Sequence, residues 1–160
     1  MGHDAPFAFD DAYAPAGGIT RFLCSTPSVL GMAALEQGLA TVDGVDPAAL
    51  FAKASALGAY YIRLMDARCG DAGFTLASPR DDAARGAHVS HAHDHAYPIC
   101  QALIARGVVG DFRAPDMLRM GFAPLYTRFA DVWYAVEAIC DVIATRAWDD
   151  PAFLTKAKVT

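Results

Sequence analysis

The sequence predicts an α/β or α+β layer arrangement, from three observations. Helical periods dominate residues 28–68, short strand-like runs alternate with helices from Gly70 onward, and a long apolar stripe closes the pattern at residues 129–143. A hydrophobic fraction of 54% over 160 residues suffices for a buried core and excludes a disordered chain. By size the chain is one domain.

Taken in order, residues 1–27 are rich in Gly, Pro and Asp and keep no period for more than a few residues. Ile19, Phe22 and Leu23 sit there with no neighbouring element to bury them, so the chain is expected to start in mid-domain. PSVLGMAALEQGLATV, residues 27–42, reads as a helix with Pro27 near its start and Gly44 beyond its end. A longer helix follows. Asp46 is its N-cap candidate, Pro47 takes the first helical position, and Leu50, Ala54, Leu57, Tyr61 and Leu64 recur at steps of three and four through about Arg68. Such a helix spans roughly 30 Å and tends to bridge substructures. FTLAS, HVSHAH, VVGDF and MLRMGF read as strands, YPICQALIARG as a helix between them. In the last helix Phe129, Val132, Trp133, Val136, Ile139, Cys140 and Ile143 share one stripe, and the tail after Pro151 becomes polar and is expected to fray.

Composition narrows the function classes. The net charge is −5 and the 13 Lys and Arg are spread out, so no basic stripe offers itself to nucleic acid. No apolar run approaches the roughly 20 residues of a membrane span, and the acidic start has no signal-peptide core, so a cytoplasmic location is expected. Cys24, Cys69, Cys100 and Cys140 form no CxxC pair and read as four buried thiols in a reducing compartment.

Three segments are candidate sites. HVSHAHDHAYP, residues 88–98, holds four histidines. On a strand His91, His93 and His95 would share a face and two could bind zinc; the other reading makes Asp94 or His95 a helix cap, since Pro98 points to a helix start. That second reading is preferred, and no metal is expected. In MLRMGF, Leu118, Met120 and Phe122 fall on one face and Arg119 on the other, beside Gly121, with Pro115 and Pro124 bracketing the strand. Arg119 is either held in a crevice to grip a carboxylate with its planar fork or is an exposed edge-strand arginine. Ser25, Thr26 and Pro27 precede a helix, where they either hold an anion or simply cap it. His3 and Asp4 have no reading from spacing.

Together these segments resemble the C-terminal part of kynureninase, of the bacterial branch. MGH resembles the end of that family's Trp-x-Gly-His segment, AGGITRFLCSTPSVLGMAALEQGL the loop and helix that follow, GFTLASPRD the first strand of the small domain, and QALIARGVVGDFRAPDMLRMGFAPLYTRFADVW is the most specific stretch. The resemblance covers essentially the whole chain. It implies the aspartate-aminotransferase-like fold of pyridoxal-phosphate enzymes (fold type I), with residues 1–45 as the end of the large cofactor domain, 46–69 as a connecting helix and 70–160 as the small domain. It implies hydrolysis of L-kynurenine, or 3-hydroxykynurenine, to anthranilate and L-alanine in tryptophan breakdown, with pyridoxal phosphate as electron sink.

Residue by residue, Arg119 matches the arginine that binds the substrate α-carboxylate. Thr26 matches the contact to the cofactor phosphate, Ser25 lies beside it near the substrate ring, and His3 matches the histidine of the Trp-x-Gly-His segment. The family site lies at a dimer interface, so a homodimer is implied, with Ser25 and Thr26 serving the neighbouring subunit's cofactor. The Schiff-base lysine of the family lies upstream of that segment; Lys53, Lys156 and Lys158 lie in no such context, so no catalytic residue is expected in this chain and it is expected to be inactive alone. The aspartate that pairs with the pyridine nitrogen and most of the phosphate cradle are also expected upstream. Bacterial relatives carry histidines like His93 and His95 at a strand-to-helix junction. The alternative is a non-catalytic subunit that pairs with a catalytic chain.

Overall fold

Backbone hydrogen bonds, rather than side-chain packing, organise the opening segment. Gly2 N–H donates to Arg21 O at 2.7 Å, Asp4 N–H to Ala14 O at 2.8 Å and Ala16 N–H to Gly2 O at 3.1 Å, which folds the segment back on itself around a bridge between His3 and Pro15. The approach is close enough that a Cβ at residue 2 would lie 2.3 Å from Thr20 O, so glycine is required there. Ala16 is buried, whereas Phe7, Phe9, Ile19 and Phe22 are exposed, as expected of apolar residues with no element over them. Helix α1 spans Val29–Ala40 and buries no residue.

This computed structural model describes residues 2–23 and 25–155, and the chain divides into two compact units, Met1–Val45 and Asp46–Thr160. Cys24, Lys156 and Lys158 lie outside the described residues.

The second unit starts where the sequence places it. Asp46 accepts the Ala48 N–H at 2.9 Å and Pro47 opens α2, Pro47–Cys69. Its inner face buries Ala54, Leu57, Gly58, Tyr61, Ile62 and Met65. Strands β1 (Thr75–Leu76), β2 (His88–Ala92), β3 (Asp111–Arg113) and β4 (Met117–Gly121) pair antiparallel in the order β1-β2-β4-β3. Helix α3 (Ala96–Ala105) connects β2 to β3, and α4 (Phe129–Ala144) packs on α2 and α3. Asp131, in the first turn of α4, accepts the Arg128 backbone N–H at 2.8 Å, which satisfies a donor that the helix start leaves free. The core lies between sheet and helices, with Leu57, Tyr61, Val89, Ile99, Leu103, Leu118, Val136 and Ile139 fully buried.

Four local expectations are corrected. Ser28, not Ser25 or Thr26, caps α1, accepting the Gly31 N–H at 3.2 Å. Strand β2 stops at Ala92, so His91, His93 and His95 do not share a strand face. The tail does not simply fray after Pro151: Asp150 accepts the Ala152 N–H at 2.8 Å and opens a short α5, Pro151–Leu154, repeating the Asp-Pro-Ala start of α2. Of the cysteines, Cys69 and Cys100 are buried but Cys140 is only partly so, and Cys69 and Cys140, 71 positions apart, meet Sγ to Sγ at 3.2 Å.

The apolar stripe of α4 is graded: Ile139 is fully buried, whereas Phe129 at its start is 46% exposed. Ile139→Ala should therefore lower unfolding stability by about 2–5 kcal/mol in urea titration, and Phe129→Ala by distinctly less. Equal losses would place the core elsewhere.

Candidate functional site

The first unit gathers three of the candidate residues into one cleft. His3, Ser25 and Thr26 line a hollow of about 620 Å³ together with Gly2, Asp4, Pro6, Phe7, Phe9, Asp10 and Leu23. That volume is in the range of small-molecule sites, roughly 300–1,000 Å³. Because Ser28 does the capping, neither Ser25 nor Thr26 is needed to start α1, and both are exposed. Ser25 has φ +61° and Phe9 φ +52°, both in the left-handed region that a side chain rarely adopts. Two strained residues on one cleft fit a loop held in shape for a ligand.

His3 is tied at both ring nitrogens. Its Nδ1 accepts the Ala5 N–H at 3.0 Å, so Nε2 carries the proton and donates to Ala12 O at 3.1 Å. Tyr13 packs edge-on at a centroid distance of 5.7 Å and gives its hydroxyl to Gly2 O. With both nitrogens occupied, the ring fixes the loop and offers the cleft a face, not a proton.

The second unit holds Arg119 on β4. This strand is internal, between β2 and β3, so the exposed edge-strand reading is overturned. Leu118 and Met120 point into the core, and the two-residue period turns Arg119 to the opposite face, two-thirds covered, between Ser90 of β2 and Asp111 of β3. Arg119 Nη2 donates to Asp111 Oδ2 at 2.5 Å, and the same oxygen accepts from Arg113 Nη2 at 3.1 Å. The two guanidiniums, Arg119 first, hold the Asp111 carboxyl below the usual carboxylate range against the opposing effect of burial. Sequence spacing gave no hint of Asp111, because its relation to Arg119 exists only through the β3–β4 register.

The histidines have structural work. His93 Nε2 bonds Ala72 O at 3.0 Å and its Nδ1 accepts the His95 N–H at 2.9 Å. His95 stands at the N-cap position of α3, makes no side-chain cap bond, and stacks on Trp148 at 4.0 Å. His91 is buried against Tyr61 and Phe74, and its Nδ1 has no hydrogen-bond partner among the described residues. Burial drives its pKa from 6.5 down to about 4, with Asp66 opposing and Arg80 reinforcing the shift. Among the described residues no group of three or more His, Cys, Asp or Glu is placed to hold a metal, and no helix is long and apolar enough to cross a membrane.

A small antiparallel sheet backed by helices, with an arginine on its less-covered face, defines an α+β domain. The chain belongs to the kynureninase family: residues 50–139 match the family described as kynureninase C-terminal domain. It is 46% identical over 159 residues to the kynureninases of Burkholderia mallei (strain SAVP1) and Burkholderia pseudomallei (strain K96243), in each case 99% of this chain and 38% of the relative. It is 41% identical over 160 residues to the Pseudomonas fluorescens kynureninase, all of this chain and again 38% of the relative. The chain therefore spans well under half the length of the relatives it matches.

Buried His91 has a consequence for stability. Between its ordinary value of 6.5 and the folded value of about 4 the unfolded chain takes up a proton that the folded chain refuses. Stability is complete above that window and should fall as pH drops through it, by up to about 1.4 kcal/mol per pH unit. His93, also lowered by burial, adds in the same direction, whereas the depressed carboxyls of Asp66 and Asp111 titrate below 3.8. His91→Leu should flatten the slope in chemical denaturation between pH 6.5 and 4; an unchanged slope would mean that His91 is not the group responsible.

Proposed function

We propose that this chain forms the substrate-carboxylate side of a kynureninase, which hydrolyses L-kynurenine or 3-hydroxykynurenine to anthranilate and L-alanine. The observation that carries the reading is Arg119, on an internal strand, with only its Nη2 end engaged and its Nε and Nη1 N–H groups unpartnered among the described residues. Nη2 carries two N–H groups and Asp111 takes one, so the second can still pair with the N–H of Nε or of Nη1 as a two-donor fork for an α-carboxylate. The same reading takes in three residues of the first unit's cleft. Thr26 lines the cleft, where it would contact the cofactor phosphate, Ser25 lines it beside Thr26 for the substrate ring, and His3 braces the loop beside them.

Pyridoxal phosphate, when bound, supplies the electron sink for this chemistry. The chain's own share is to bind and orient. Thr26 would hold the phosphate edge, Ser25 would stand beside it near the substrate ring, His3 would keep the shape of the cleft, and Arg119 would hold the end of the amino acid. No lysine or arginine is among the residues lining the cleft, and two carboxylates, Asp4 and Asp10, are. Lys53, the one lysine among the described residues, lies half-buried on α2. The cofactor lysine and the countercharge for the phosphate therefore come, in this reading, from the part of the enzyme that this chain does not cover, and the chain alone is inactive. Residues 1–45 are then the end of the large domain of fold type I, which accounts for exposed Phe7, Ile19, Phe22 and Leu30; residues 46–69 are the connecting helix and 70–160 the small domain. A homodimer and a cytoplasmic location belong to the same reading.

The test uses a joined enzyme, made by linking this chain to the aligned N-terminal part of the Burkholderia mallei relative. Arg119→Lys should lower kcat/KM for L-kynurenine by roughly 10- to 100-fold, since a point charge replaces a fork. An unchanged kcat/KM would remove Arg119 from substrate binding.

A further inference from the structure

An arginine side chain has many rotamers, and one that must meet a carboxylate at a set angle gains from being held before the ligand arrives. The sheet does this for Arg119. Asp111 and Arg119 are directly opposed in the β3–β4 register, so their side chains leave the same face side by side. The Asp111 carboxylate takes the Nη2 end at 2.5 Å and is itself steadied from the other side by Arg113 at 3.1 Å. On the opposite flank Ser90 of β2 pairs with Arg119 in register and makes no hydrogen bond to its guanidinium. The contact leaves Nε–H and Nη1–H without a partner among the described residues.

We infer that Asp111 is the positioning residue for the substrate-binding arginine: it anchors one end of the guanidinium and turns the other toward an α-amino acid carboxylate. The inference rests on the reading of Arg119 as the carboxylate grip. Its physical content is that Asp111 restrains Arg119 without neutralising it, because Arg113 shares the same carboxylate and the three groups together keep one net positive charge. The opposite possibility is definite: a carboxylate beside the grip would compete with the substrate, and removing it would then tighten binding.

Asp111 is half-exposed, so its replacement leaves no buried charge unpaired and the variants should fold. In the joined enzyme, Asp111→Ala should raise KM for L-kynurenine about tenfold, with the loss falling on KM more than on kcat. Asp111→Asn, which keeps an acceptor of the same shape, should recover part of that loss. In an Arg119→Gln background, Asp111→Ala should have no further effect, because a residue that acts only through Arg119 has nothing left to position. If Arg119→Gln weakens kynurenine use while Asp111→Ala leaves KM unchanged or lowers it, the positioning role is overturned and the arginine's role stands. If Arg119→Gln changes nothing, the grip itself is wrong and the inference falls with it.

Discussion

The pairing of β2 with β4 is the constraint on which the second unit depends. It sets Val89 opposite Met120 and His91 opposite Leu118, so four buried side chains share the face on which α2 and α3 pack. The same register fixes what the other face carries: a strand that buries Leu118 and Met120 must turn Arg119 outward. Slipping the pairing by one residue would exchange the two sets, driving a cation into the core and exposing the apolar pair. The position of Arg119 is thus enforced by the hydrophobic core and not by local turn geometry. Its surroundings follow from the next pairing outward, which brings Asp111 alongside.

The first unit is built on another principle. It is held by a few backbone hydrogen bonds and a doubly tied histidine, and it exposes its large apolar residues. Such a segment has little stability of its own to draw on. The core cluster lies wholly within residues 46–160, and the described residues of 1–45 contribute nothing to it.

Much of the fold was legible. The Asp46-Pro47 start of α2, the stripe of α4 and the face alternation around Arg119 each follow from local rules of capping and period, and each is realised. The corrections are cases where several local signals competed or where a partner was distant. Ser28 prevailed over Ser25 and Thr26 as the α1 cap, and a Pro that looked like the end of structure opened α5. The Cys69–Cys140 contact and the Asp111–Arg119 pair join residues whose nearness only the tertiary fold creates. For the site, the period could place Arg119 on a face but could not tell an internal strand from an edge. Ser25 and Thr26 carried only the ambiguous signal of residues before a helix and His3 none from spacing; their meeting in one cleft emerges only once the opening segment folds back on itself.

The most direct measurement is a crystal structure of the joined enzyme with a non-hydrolysable kynurenine analogue bound. The α-carboxylate should lie within hydrogen-bond distance, about 3 Å, of the Arg119 guanidinium, with Asp111 still on Nη2. An analogue whose carboxylate is held by another cation, with Arg119 bound to Asp111 alone, would contradict the assignment of this sheet face as the substrate-carboxylate site.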